Sequence, residues 1–169
     1  MFRCTLALLV ASSRALVTPG SSGRLLVCGG SGFLGREVCR EAVTRGWAVT
    51  SLSRRGVNPE PGSSLDAVKW VAGDMSDAVL LTQLAADADA FVHSVGLLLD
   101  TESGLGGANF ITSGSRSVPA EGATYDTVMR DSAAALAAAA QSGATGGAET
   151  PLVYVSAAEA AWSENDGGR

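Results

Sequence analysis

Two kinds of hydrophobic run take turns along the chain, and their order predicts strands alternating with helices. Arg24-Leu25-Leu26-Val27-Cys28 is a short apolar run of the kind found in strands buried on both faces. Beyond it Leu34, Val38 and Ala42 recur at helical spacing, which predicts an amphipathic helix with that stripe inward and Gly46 as its stop. Trp47–Leu52 reads as a second strand, Ala67–Ala72 as a third, and Val79–Ala86 as a helix carrying Leu80, Leu81 and Leu84 inward. Ala90–Gly96 is a fourth strand with its turn, Tyr125–Gln141 a long helix with an alanine-rich body, and Pro151–Ser156 a fifth strand. Tyr154, flanked by Val153 and Val155, is expected in the core. This order predicts an α/β fold, a doubly wound parallel sheet with right-handed crossovers.

Between the first strand and the first helix stand three glycines three residues apart, in Gly29-Gly30-Ser31-Gly32-Phe33-Leu34-Gly35. A strand, a glycine turn and a helix in this order form the unit that binds a dinucleotide. Gly29 allows the tight turn. Gly32, with no Cβ, lets a pyrophosphate approach the backbone, and Gly35 lets the helix pack closely on the strand. The pyrophosphate would rest at the helix N-terminus, where free N–H groups and the helix dipole favour negative charge.

The second strand runs into Ser53-Arg54-Arg55. About 20 residues past such glycines, an NAD-preferring unit carries an Asp or Glu on the ribose 2′-hydroxyl. Here Ser53 and two arginines stand in that region, so a 2′-phosphate would meet cations and no carboxylate. NADP is therefore the expected cofactor, ahead of NAD; an exposed basic turn is the plainer alternative. Asp74, at the end of the third strand, either accepts from the adenine amino group or caps the next helix beside Ser76 and Asp77. His93 is the chain's one histidine and is expected to be structural, since no Cys or carboxylate motif accompanies it.

The 169 residues suit one domain, and 46% hydrophobic content is enough for a core. A net charge of −5 argues against nucleic-acid binding. No apolar run reaches the roughly 18 residues of a membrane span, so at most a peripheral membrane association is left open. Three irregularly spaced cysteines form neither a disulfide framework nor a zinc site; Cys28 and Cys39 occupy positions for small apolar residues and are expected to be inert. No metal site is expected. Asn58–Ser64 is a Pro/Gly/Ser loop, and Asp100–Gly122 is a Gly/Ser/Thr-rich stretch that reads either as a mobile lid or as disorder.

Residues 1–23 stand apart from residues 24–169, the expected nucleotide-binding domain. They hold Arg3, Arg14 and several serines, and no acidic residue precedes Glu37, as in organelle transit peptides. A secretory signal is the rival, with Leu6–Val10 as its apolar region, and a bipartite plastid leader would contain the same signal. A mitochondrial address is expected, with a plastid as the alternative.

Together these segments resemble the atypical short-chain dehydrogenase/reductase superfamily of NAD(P)-binding Rossmann proteins. Within it they are most similar to the mitochondrial group tied to ubiquinone (coenzyme Q) biosynthesis. Plastid Rossmann proteins and the NADPH-binding accessory subunit of respiratory complex I are more distant. The matching stretches are Leu26–Gly35, Val49–Arg55, Gly73-Asp74, Tyr125-Asp126, Val153–Ala158 and above all Val92-His93-Ser94-Val95-Gly96-Leu97-Leu98-Leu99. The resemblance covers about residues 24–160. It implies a cofactor site formed by Gly29 to Gly35, Ser53, Arg54, Arg55, Asp74, Met75, Ser94, Val95, Gly96 and Ser156.

The catalytic pattern of that superfamily, Tyr-x-x-x-Lys, cannot form in these residues, because the one lysine, Lys69, has Leu65 four positions before it. The chain also stops before a sixth strand and a C-terminal substrate region. No catalytic residue is therefore assigned, and Tyr125 is the one plausible substitute acid. The expected function is that of a non-catalytic NADP(H)-binding accessory factor in a quinone-biosynthesis assembly. The alternative is a truncated NADP-dependent reductase or epimerase of an organelle. A plastid relative that binds RNA or lipid droplets suits the leader but not the acidic charge.

Overall fold

The computed structural model describes residues 23–96, 124, 126–143 and 150–155. The leader to residue 22, the Asp100–Gly122 stretch, Tyr125 and Ser156 lie outside the described residues. Strand β1 (Arg24–Cys28) shows why its residues are apolar without alternation. Leu25 and Val27 face one side of the sheet, Leu26 and Cys28 the other, and all four are buried. A strand covered on both faces has no polar side. Strands β2 (Ala48–Ser53) and β4 (Ala90–His93) flank it, with β3 (Lys69–Ala72) and β5 (Leu152–Tyr154) outside them. All pairings are parallel, and the order is β3-β2-β1-β4-β5. The expected doubly wound sheet is thus present.

Helix α1 (Phe33–Thr44) and a 3-10 turn at Ser64–Ala67 cover one face. There Cys39, Ala42 and Leu65 pack against Leu25, Val27, Val49 and Val92. On the other face α2 (Ala78–Ala86) and α3 (Ser132–Gly143) bring Leu81, Ala85, Leu136 and Ala139 against Leu26, Cys28, Leu52 and Phe91. Burying each such Leu or Phe stabilises the fold by about 1.5–3 kcal/mol. Leu80 and Leu84 are half-buried and join this second cluster. The first helix ends as its glycine predicts. Gly46 adopts φ 83°, its N–H donates to Val43 O (2.9 Å), and Trp47 N–H donates to Ala42 O (3.0 Å), a Schellman closure.

Three details differ from the sequence expectation. First, α1 opens at Phe33, before the third glycine, and its buried stripe is Gly35, Cys39 and Ala42 rather than Leu34, Val38 and Ala42. The helix approaches the sheet so closely that only the smallest side chains fit on the contact line, and Leu34 and Val38 are left half-buried beside it. Second, the helix expected from Tyr125 begins as a π-helix over Asp126–Asp131 and turns α-helical only at Ser132. Third, Tyr154 is not in the core. It lies on the outermost strand and is 40% exposed, with Val153 at 42%; among the described residues no further strand pairs with the open edge of β5.

Candidate functional site

The C-terminal ends of β1, β2, β3 and β4 carry nearly all the expected site residues, on the edge where open parallel sheets bind ligands. The strand order reverses between β1 and β4, and the glycine turn lies there.

Each glycine of that turn has its own reason. Gly29 adopts φ 88°, and a Cβ on it would lie 2.9 Å from the Ser94 carbonyl carbon and Val95 nitrogen. A Cβ on Gly35 would lie 2.2 Å from Gly29 O and 2.7 Å from Ser94 Oγ, so this glycine is required by close packing. Gly30, whose role the spacing left open, would drive a Cβ to 2.3 Å from Ser51 Oγ and 2.8 Å from Cys39 Sγ; its missing side chain serves the core. Gly32 is different. A Cβ there would meet only Gly29 O, at 3.2 Å, so the space beyond it is open. Ser94 closes the back of the turn, its N–H and its hydroxyl both donating to Cys28 O at 2.9 Å. Val95 is half-buried beside it and Gly96 is exposed.

Helix α1 starts at this open point without a cap. Gly32 is its N-cap, no side chain accepts from the first-turn amides, and the first turn holds no acidic residue. Those amides have no carbonyl of their own helix to meet. The first turn instead carries Arg36, whose guanidinium lies 5.5 Å from the ring centre of Phe33, itself 68% exposed. A cation there opposes the helix dipole. The arrangement suits an incoming anion.

At the end of β2, Ser53 Oγ accepts from Gly56 N–H (3.2 Å) and Ser53 O accepts from Gly73 N–H (3.1 Å). Arg54 and Arg55 are exposed on the turn that follows. Asp74 Oδ1 accepts from Ser76 N–H (2.9 Å) and Ser76 Oγ–H (2.8 Å). These bonds, together with the charge of Arg54, hold the Asp74 carboxyl below its ordinary pKa. The capping role once open to Asp74 belongs to Asp77, whose carboxylate accepts from Leu80 N–H (3.0 Å) at the start of α2. Met75 is half-buried against the Leu52 cluster.

His93 is fully buried, which favours its neutral form and lowers its pKa. Its Nε2 lies 2.7 Å from Ser132 Oγ. That hydroxyl also lies within hydrogen-bond distance of Val128 O in the preceding turn, an arrangement suited to a proton given to Val128 O and one accepted from His93 Nε2–H. The ring therefore ties β4 to the start of α3, and it packs against Tyr154 at 5.2 Å. Burial pushes both Cys28 and Cys39 thiols up to about 12, so neither is a nucleophile at neutral pH. Among the described residues no group of His, Cys, Asp and Glu could hold a metal ion, and no helix is long and apolar enough to cross a membrane.

Sequence reasoning missed a set of ion pairs beside this edge. Glu60, in the loop after β2, pairs with Arg40 (2.6 Å) and Arg36 (3.4 Å) of α1, and Arg40 also pairs with Glu37. At the opposite end of the sheet Arg24 holds Asp89 through its side chain and its backbone N–H (2.9 Å each). Neither Glu60 nor Asp89 stands within helical reach of its partner in sequence.

A glycine turn at the switch point of a doubly wound parallel sheet defines a Rossmann-like NAD(P)-binding domain of the short-chain dehydrogenase/reductase type. More narrowly, residues 25–113 match the NAD dependent epimerase/dehydratase family, and the chain belongs to it. It is 40% identical over 85 residues to MIOREX complex component 2 of Saccharomyces cerevisiae, covering 47% of this chain and 31% of that protein. It is 39% identical over 85 residues to an uncharacterized chloroplastic protein of Arabidopsis thaliana, covering 48% and 27%. The chain thus spans less than a third of the length of these relatives. Among solved structures, UDP-glucose-4-epimerase from Stenotrophomonas maltophila, with NAD bound, aligns at a TM-score of 0.50 and 20% identity. That alignment covers 72% of this chain and 34% of the epimerase, and it shows likeness of fold.

Proposed function

We propose that this chain binds NADP(H), with the pyrophosphate on the open N-terminus of α1 and the 2′-phosphate beside Arg54 and Arg55. The observation that carries the reading is the uncapped helix start at Gly32, which leaves first-turn amides facing open space at the sheet's switch point. The preference for NADP rests on the end of β2. Where a carboxylate would hold a ribose hydroxyl, Ser53 spends its oxygen on Gly56 N–H, and two exposed arginines follow. Asp74 and Met75 would border the adenine, Ser94 to Gly96 the far side of the pyrophosphate, and Ser156 would join from the end of β5.

These residues supply binding and orientation, and bound NADPH would supply a hydride. The assigned role is a non-catalytic accessory one in an organellar assembly, with residues 1–23 as its address. The likenesses to a yeast complex component and a chloroplastic protein support it. The ubiquinone connection rests on the resemblance around His93–Leu99 alone. Mitochondrion is preferred over plastid, and at most peripheral association with a membrane surface is expected.

The test is calorimetric titration of the protein with NADPH and NADH. NADPH should bind more tightly, and Arg54→Ala with Arg55→Ala should cost NADPH roughly 1.5–3 kcal/mol while sparing NADH. Equal affinities for the two cofactors, before and after the change, would overturn the NADP assignment.

A further inference from the structure

Glu60 stands outside every role described so far, yet both its side chain and its backbone are tethered close to the basic turn. Its carboxylate bridges Arg36 and Arg40, one helical turn apart on α1. Its backbone is held as firmly. Glu60 N–H donates to Asn58 Oδ1 (2.9 Å), and Glu60 O accepts from Ser63 Oγ (2.7 Å). Asn58 Nδ2 in turn donates to Asp66 Oδ1 (2.7 Å), and Asp66 also accepts from Gly62 N–H (3.0 Å). Residues 58–66 therefore form one hydrogen-bonded unit, and Glu60 is the point where it grips α1.

That unit continues directly from the turn that carries Arg54 and Arg55. Gly56 is packed so tightly on Ala72 that a Cβ on it would lie 2.2 Å from Ala72 N, and its N–H is bound to Ser53. The two arginines thus project from a short span fixed to β2 and β3 on one side and to α1, through Glu60, on the other. We infer that Glu60 is a positioning residue for cofactor selectivity: by clamping the loop to α1 it sets Arg54 and Arg55 to meet a 2′-phosphate. The inference rests on the cofactor reading proposed above.

Charge alone makes the opposite prediction. Removing an acidic group from a cluster of arginines raises the positive potential and would tighten a phosphate. The clamp predicts weaker binding in spite of that added attraction, so the sign of the effect separates the two. The measurement is the dissociation constant of the full chain for NADPH and for NADH, in the wild type, Glu60→Ala and Glu60→Gln. Glu60→Ala should weaken NADPH about tenfold, the scale of one charge-assisted hydrogen bond lost, and leave NADH within about twofold. Glu60→Gln keeps an acceptor in the same shape, which controls for misfolding, and should fall between the wild type and Glu60→Ala. Tighter NADPH binding in either variant, or an equal loss for both cofactors, overturns the clamp. So does a wild-type NADPH preference that Glu60→Ala leaves intact, and that result spares the cofactor reading. A wild type with no preference overturns the reading and the clamp together.

Discussion

The two helices that follow β1 and β3 leave the same edge of the sheet, and they begin in opposite ways. Helix α2 is closed: Asp77 caps Leu80 N–H, and Asp74 closes the preceding turn onto Ser76. Helix α1 has a glycine at the equivalent point, no side-chain acceptor, no acidic residue, and an arginine in the first turn. A capping side chain is worth about 1 kcal/mol to a helix, so α1 does without a gain that α2 takes. The contrast is the one expected if an outside anion binds at α1, as proposed. At α2 the chain satisfies its own amides. At α1 it leaves them uncapped, as the proposed phosphate site requires, and Gly35 packed on Gly29 and Ser94 holds that open start in place.

The comparison is broken hardest at the two glycines of α1. Gly35→Val places its Cβ 2.2 Å from a backbone oxygen, and the protein should lose about 3 kcal/mol or more, seen as loss of a cooperative melt. Gly32→Val meets one atom at 3.2 Å, so it should fold and melt near the wild type while losing NADPH binding. If both variants fold and bind, the glycines are only a turn.

A smaller effect is expected at the closed helix. Asp77→Ala should cost about 1 kcal/mol, within a range of about 0.5–2, read from chemical denaturation. It should leave the NADPH dissociation constant unchanged, because Asp77 is not among the residues proposed to hold the cofactor.

The smallest effect is a pH dependence at the turn that leads into α2. The Asp74 carboxyl lies below its ordinary value of 3.8, chiefly because it accepts from Ser76. A depressed carboxyl contributes stability above its unfolded pKa and loses it as pH falls through the folded one. Below about pH 3.8, amide exchange at Ser76 should rise. The α1 start has no titrating cap, and exchange at Phe33 and Leu34 should show no step there.

Much of this was legible in the sequence, because the local rules agree with the fold. The unbroken apolar run of β1, the glycine spacing and Gly46 as a helix stop are short-range signals, and the order of elements followed from them. What was hidden depends on distance in the chain or on what lies beyond an element. The buried stripe of α1 takes in Gly35 and Cys39 in place of Leu34 and Val38 because Gly29, on another element, decides how close the helix can come. Tyr154 reads as a core residue from its valine neighbours, but exposure is set by what packs on β5. The ties of Glu60 to Arg36 and Arg40, and of Arg24 to Asp89, join residues that no periodicity connects. The spacing gives Gly30 no role, and only Ser51 and Cys39 show what its missing Cβ makes room for.

Helix α1 is proposed to be left uncapped for a dinucleotide phosphate, and Gly32→Asp puts that proposal to the test. An aspartate at that position supplies the missing acceptor and favours the helix dipole, so the protein should be as stable as the wild type or more so, by up to about 1 kcal/mol. The same carboxylate would stand where the pyrophosphate must approach. Calorimetric titration with NADPH should show saturable binding to the wild type and none to Gly32→Asp, with the variant melting no lower. A variant that binds NADPH as tightly as the wild type, or a wild type that binds neither NADPH nor NADH, would contradict the claim.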